Sequence, residues 1–232
     1  QLSASALQLS WADFDSPLLD LRLSGSYGEK TEMALAHLDL AAWHHAVQRA
    51  GLLQGHAKEV LDTLRPHGAL RNIHIERRPA EQGLFALRGN IVDGRVSAWH
   101  GAPALRGVTG VVEASALGGE VRLRTEQGFA MRFPLLYDEP LSFHHAEGAV
   151  RWEVDPEVRT AYVSSGLLTL SNDEVRARGH FNLHLPFNGT DKPEMTLMVG
   201  VREGRARLHK ALVPRTVPQP LLHWLDRAIV GG

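Results

Sequence analysis

Read at every second residue, the stretch from Glu174 to Leu185, EVRARGHFNLHL, separates into two registers. One holds Val175, Ala177, Gly179, Phe181, Leu183 and Leu185; the other holds Glu174, Arg176, Arg178, His180, Asn182 and His184. A period of two, with one apolar and one wet face, belongs to a β-strand that has one side out of water. At about 3.3 Å per residue the strand spans roughly 35 to 40 Å, about twice the common length. Its apolar side needs something to lie against.

The same period returns along most of the chain. From Ala69 onward LRNIHIER, FALRGNI, RVSAW, VTGVVEAS, EVRLRTE, FAMRFP, LSFHHAEGAVRWEV, TAYVSSGLLTL and EMTLMVGVRE follow one another. Their separators are short, such as LGG at 117–119, QG at 127–128 and DP at 155–156. Short links join antiparallel neighbours, so a meander is expected. Ser5 to Trp11, Leu19 to Tyr27 and Met33 to Leu40 read as opening strands. Between Ala41 and Leu64 the period changes: Leu53, Ala57, Val60 and Leu64 fall at helical spacing, and Gly51 and Gly55 divide the segment into two short helices. Pro66 and Gly68 end it. In the tail, Pro218 and Pro220 precede Leu222, Leu225 and Ile229, the pattern of an amphipathic helix over 219–230.

The expected organisation is therefore opening strands over 1–40, a helical insertion over 41–66, a main antiparallel sheet over 67–217 and a C-terminal amphipathic helix over 218–232. The fold class is mainly β, a long antiparallel meander forming a curved, one-sided apolar sheet.

Composition narrows the function. The 232 residues are 44% hydrophobic, enough for a substantial apolar surface. Lys plus Arg at 25 against Asp plus Glu at 26 leaves a net charge of -1, so no global field recruits a phosphate backbone and no nucleic-acid partner is expected. The absence of cysteine removes disulfides, thiolate nucleophiles and Cys-based metal sites. No window reaches 18 uncharged apolar residues, and QLSASALQLS has neither a basic n-region nor a continuous apolar h-region. A first residue of Gln, and strand character by the seventh, suggest a piece of a longer chain whose anchor or targeting signal lies outside it.

Thirteen histidines invite a metal or acid–base reading. His144 and His145, near Glu147, alternate across a strand and diverge, as do the adjacent His44 and His45 on a helix. His56 and Glu59 share a helical face at i, i+3 but lack an evident third ligand, so a solvated pair is expected. Nucleophile elbows, phosphate loops and zincin motifs are absent. Asp138 with Glu139, and Asp173 with Glu174, sit at strand ends where turn chemistry accounts for them. Asn188-Gly-Thr190 matches a glycosylation sequon and reads as a turn. No catalytic residue, metal or cofactor is expected.

What remains is the alternation. Val121 and Leu123; Phe129, Met131 and Phe133; Val150, Trp152 and Val154; Phe181, Leu183 and Leu185; and Met195, Leu197 and Val199 mark the apolar side of successive strands. A second sheet would cover this side in a sandwich. A side left partly open would be an apolar groove, the kind of surface that marks a binding site.

Longer runs carry a resemblance. WHGAPALRGVTGVVEASALGGEVRL from Trp99, then GFAMRFPLLYDEPLSF, AEGAVRWEVD, SSGLLTL and ARGHFNLHLP, resemble the central periplasmic region of the YhdP proteins, members of the AsmA-like group that includes TamB. LRPHGALRNIHIE is similar to the family's Leu-x-Pro-x-Gly-x-Leu lead into this region, here Leu64, Pro66, Gly68 and Leu70. LVPRTVPQPLLHWLDRAIVGG is similar to the segment that introduces its next strands. Together these cover roughly residues 60 to 232.

The resemblance implies a bacterial periplasmic protein anchored in the inner membrane through a helix outside this chain. It implies a β-groove that carries phospholipid acyl chains toward the outer membrane, with inner- and outer-membrane envelope proteins as partners. It supplies no catalytic residues, so the lining residues are those of the alternation above. The competing expectation is a non-catalytic structural or docking β-module whose apolar face is fully covered.

Overall fold

The computed structural model describes residues 2–8, 10–11, 14–15, 19–25, 31–49, 51, 55–77, 85–99, 102–126, 128–187, 191–204 and 213–228. The chain opens with β1 (Leu2–Leu7), β2 (Ser10–Trp11), β3 (Phe14–Asp15), β4 (Leu19–Gly25) and β5 (Thr31–Asp39). Helices α1 (Leu40–Arg49) and α2 (Gly55–Leu64) follow. The long middle comprises β6 (His67–Arg77), β7 (Phe85–Val96), β8 (Ala104–Ser115), β9 (Gly118–Thr125), β10 (Phe129–Arg132), β11 (Leu141–Phe143) and β12 (His145–Asp155). It continues through β13 (Thr160–Ser165), β14 (Leu168–Ser171), β15 (Val175–Pro186) and β16 (Glu194–Gly204), and α3 (Gln219–Ala228) stands near the end.

Fourteen of these strands form one antiparallel sheet, and β2 and β3 pair separately as a two-residue ribbon. The ladder runs β1, β4, β5, β6, β7, β8, β9, β12, β13, β15, with each strand beside the one that follows it in the main run. Two expected single strands, LSFHHAEGAVRWEV and TAYVSSGLLTL, are each two strands in line. β9 and β10 both pair with β8, and β11 and β12 run back beside them on β10 and β9. β13 and β14 both lie between β12 and β15. β16 then pairs with β15 over nearly its whole length.

The interruptions fall on a common line across the strands. Gly68 in β6, Asp93 in β7, Gly107 in β8 and Gly128 before β10 all have positive φ, at 100°, 49°, 72° and 106°. A Cβ on Gly68 would stand 2.6 Å from the Asp93 carbonyl oxygen, and one on Gly107 1.9 Å from that of Gly128. The line continues where the Gly128 N–H donates to the His144 carbonyl at 3.4 Å and the His144 N–H to that of Ser171 at 2.9 Å. Bulges of this kind bend a strand and increase its twist, so a row of them creases the whole sheet. Only glycine combines the left-handed backbone with the close approach at position 107.

Helix α1 starts where Asp39, at the end of β5, turns its carboxylate onto the Ala42 N–H at 2.7 Å, an N-cap. It ends before Gly51, whose φ of 64° reverses the chain. Asp62 on α2 then ties the two helices together: it accepts from Gln48 and lies 3.2 Å from His44 Nε2 and 2.5 Å from Lys58 Nζ. Those hydrogen bonds, Lys58 first and Gln48 next, hold its carboxyl down at about 2.

Substantial strand-to-strand contact is confined to ladder neighbours, and α1, lying on β5 and β6, is the helix with appreciable contact to the large sheet among the described residues. Among the described residues the fold is thus one large creased sheet with α1 as a small helical cover.

Candidate functional site

The ladder registers carry one apolar face across the sheet. Leu21 lies opposite Leu35, which lies opposite Ile73. Ile75 faces Leu87, and Leu87 faces Ala114. Val112 faces Val121, which faces Val150, and Trp152 faces Val163, which faces Leu183. Leu183 finally faces Met195 on β16, with Phe181 opposite Leu197 and Gly179 opposite Val199. At the creases the parity of the alternation changes: Val108 and Leu105 on β8 both pack into the same apolar cluster as Leu123, Phe129 and Phe143.

All the residues named from the alternation, apart from Phe133 just beyond β10, stand on this face. Leu123, Phe129, Leu183 and Leu185 are buried, whereas Met195, Leu197 and Val199 are exposed. Val121, Met131, Phe133, Val150, Trp152, Val154 and Phe181 are half-buried. Val201 continues the β16 row, opposite Ala177 and 50% exposed, and was legible from the same period. Leu141, Phe143, Ala146, Leu170 and Val175 also belong to the face. The first two precede a crease that shifts their parity.

Among the described residues no second sheet lies across this face, which is covered by its own curl and by local pieces of chain. Trp99 and Ala102, in the link between β7 and β8, pack against Ala161, Leu183 and Leu185. β8 and β13 are three strand spacings apart, about 14 Å on a flat sheet, so this contact requires the sheet to curl toward its apolar side. At the other end, Trp43 of α1 packs on Leu35 and Ile73. The trough is therefore capped by α1 over β5 and β6, narrowed at Trp99, and open along β16.

The family model described as YhdP protein matches residues 1–232. The chain belongs to the YhdP family. The match includes the opening strands, which precede the residues that carry the sequence resemblance. No curated protein and no solved structure matches the chain.

The opposite face of this YhdP-family sheet is wet and carries a chain of paired charges. Arg88 lies 3.5 Å from Glu113, Glu113 3.7 Å from Arg122, and Arg122 2.5 Å from Glu120, which also bonds Arg151. Arg151, and then Arg122, hold the Glu120 carboxyl below its ordinary value. Glu113 and Glu120 stand directly opposite each other, and the interleaved arginines offset their repulsion. A concavity of about 990 Å³ opens on this side, lined by Arg22, His74, Arg88, Glu113 and Glu120 among others. A twisted sheet is a saddle, concave on each face along one diagonal, and this hollow of paired charges is a solvated surface.

The other sequence candidates separate. His144 lies 3.5 Å from Asp173 and His145 3.7 Å from Glu147, so the adjacent histidines have different partners. His44 is engaged with Asp62. The side chain of His56 and the sequon at 188–190 lie outside what the structure describes. Among the described residues no group of three His, Cys, Asp or Glu side chains is placed to hold a metal ion, and no helix is long and apolar enough to cross a membrane.

Proposed function

We propose that this chain is a segment of a periplasmic lipid conduit that carries phospholipid acyl chains along the apolar trough between the inner and outer membranes. In that reading the full protein is anchored in the inner membrane outside this segment, works with envelope proteins of both membranes, and performs no catalysis. The observation that carries the reading is β16. Its eleven residues are all exposed, and Met195, Leu197, Val199 and Val201 extend the covered face of β15 into the open.

Magnitudes favour a lipid as occupant. Each methylene withdrawn from water contributes about 0.8 kcal/mol, so about a dozen buried methylenes give on the order of 10 kcal/mol with no polar contact. Strand backbones satisfy their own polar groups, so a sheet can present such a surface without orphaned donors. A trough without charged lining retains an acyl chain by burial alone, which leaves it free to slide.

Saturable uptake of a fluorescent phospholipid tests this. Displacement by unlabelled phospholipid supports the conduit; absence of uptake, or uptake unaffected by a charge on β16, rejects it. A second reading, a structural or docking module with a covered face, draws support from Trp43 over Leu35 and Ile73 and from the burial of Leu183 and Leu185. It predicts no saturable uptake.

A further inference from the structure

One hollow on the wet face gathers cations with no acid among its lining. A cavity of about 360 Å³ is lined by Arg65, His67, Arg95, Arg106 and Arg132, with no Asp or Glu in its lining. His67 and Arg95 are ladder partners on β6 and β7, while Arg106 faces Ala130 and Arg132 faces Ala104 across β8 and β10. The crease brings these positions together, since it runs through Gly68, Asp93 and Gly107 beside them.

Arg88, Arg122, Arg151 and Arg176 on this face each have a carboxylate partner, and Arg22 opens onto a hollow that also holds Glu32, Glu76, Glu113 and Glu120. In the cavity Arg95 is paired with Asp93 at 2.6 Å. Arg65 uses its Nε on the Asp62 carbonyl at 3.4 Å, and His67 Nδ1 lies 2.7 Å from the Arg65 carbonyl oxygen. Among the described residues no carboxylate pairs with Arg65, Arg106 or Arg132. In a chain of net charge -1, three unmatched guanidinium groups and a histidine around one hollow form a local concentration of positive charge.

We propose that this cavity binds the phosphate group of an anionic ligand. Guanidinium forks from different strands fit a tetrahedral oxyanion, each able to donate two hydrogen bonds, whereas a single carboxylate would leave most of those donors unused. The site is on the face opposite the trough and does not depend on acyl chains lying there. The phosphate belongs either to a lipid head group at a membrane surface or to a soluble phosphorylated compound.

The test uses sedimentation with vesicles of pure phosphatidylcholine and of phosphatidylcholine mixed equally with phosphatidylglycerol, beside an amide-shift titration with inorganic phosphate. The variants are Arg106→Gln/Arg132→Gln and, as an equal change of net charge among paired arginines, Arg122→Gln/Arg151→Gln. Binding to the mixed vesicles is expected to fall roughly thirtyfold in the first variant, from two lost surface charges, and to change little in the second. Phosphate shifts confined to residues 65, 67, 95, 106 and 132, without vesicle binding, would support the site with a soluble ligand. Equal loss in both variants would make the effect one of net charge and overturn the proposal. So would no response to either probe. Lipid uptake by the trough is read separately and can succeed or fail independently.

Discussion

Leu183 on β15 and Met195 on β16 face each other across one ladder step, yet Leu183 is 5% exposed and Met195 37%. The covered part of the trough becomes open surface within a single strand spacing. Substitutions on the two sides should therefore separate folding from binding. Leu183→Asp buries a carboxylate and is expected to cost several kcal/mol or abolish folding, while Leu197→Asp should cost less than about 1 kcal/mol. Urea denaturation of the two variants checks the difference.

The crease gives a second contrast. Gly107→Ala would drive a Cβ to 1.9 Å from the Gly128 carbonyl at a φ of 72°, whereas Gly166→Ala would meet the Ala149 carbonyl at 4.0 Å. The first is expected to destabilise by about 2 kcal/mol or more, and the second to stay within about 1 kcal/mol. Thermal melts of the two alanine variants measure this.

Much of this architecture was legible in the sequence, for identifiable reasons. The period of two is a direct consequence of strand geometry, so β15 and its apolar row were readable from EVRARGHFNLHL alone. The breaks were not. His144 and the Gly166–Leu167 step interrupt runs that look continuous, because a bulge changes backbone φ and parity without changing the apolar character of the segment. The trough's covers were also hidden: Trp43 sits on a helix and Trp99 in a link, and only the curl of the sheet brings them over Ile73 and Leu183. The unmatched arginines come from two strands and a helix end, so no local motif joins them.

Trp43 offers a third prediction. Its indole Nε1 is buried without a hydrogen-bond partner among the described residues. Trp43→Phe keeps most of the apolar contact and removes the unsatisfied donor, so its cost should be under about 1 kcal/mol, whereas Trp43→Ala should cost about 2 kcal/mol or more. Chemical denaturation followed by circular dichroism distinguishes them.

The helix pair should respond to acid. Asp62 falls from an ordinary 3.8 to about 2 in the folded chain, chiefly through Lys58 and Gln48. A depressed carboxyl contributes stability that is fully present above its unfolded value and is lost as pH falls through its folded value. Melting temperature is therefore expected to decline between about pH 4 and pH 2, and Asp62→Asn should flatten part of that decline. Glu120, lowered by Arg151 and Arg122, supplies another part.

The most direct test of the conduit is the lipid itself. The purified chain would be extracted with organic solvent and the extract analysed by mass spectrometry, beside a Leu197→Asp/Val199→Asp variant whose strand content is verified by circular dichroism. Phospholipid in the parent, reduced by about tenfold or more in a folded variant carrying charge on the open face, is the predicted result. Equal phospholipid in both, or none in either, would contradict it.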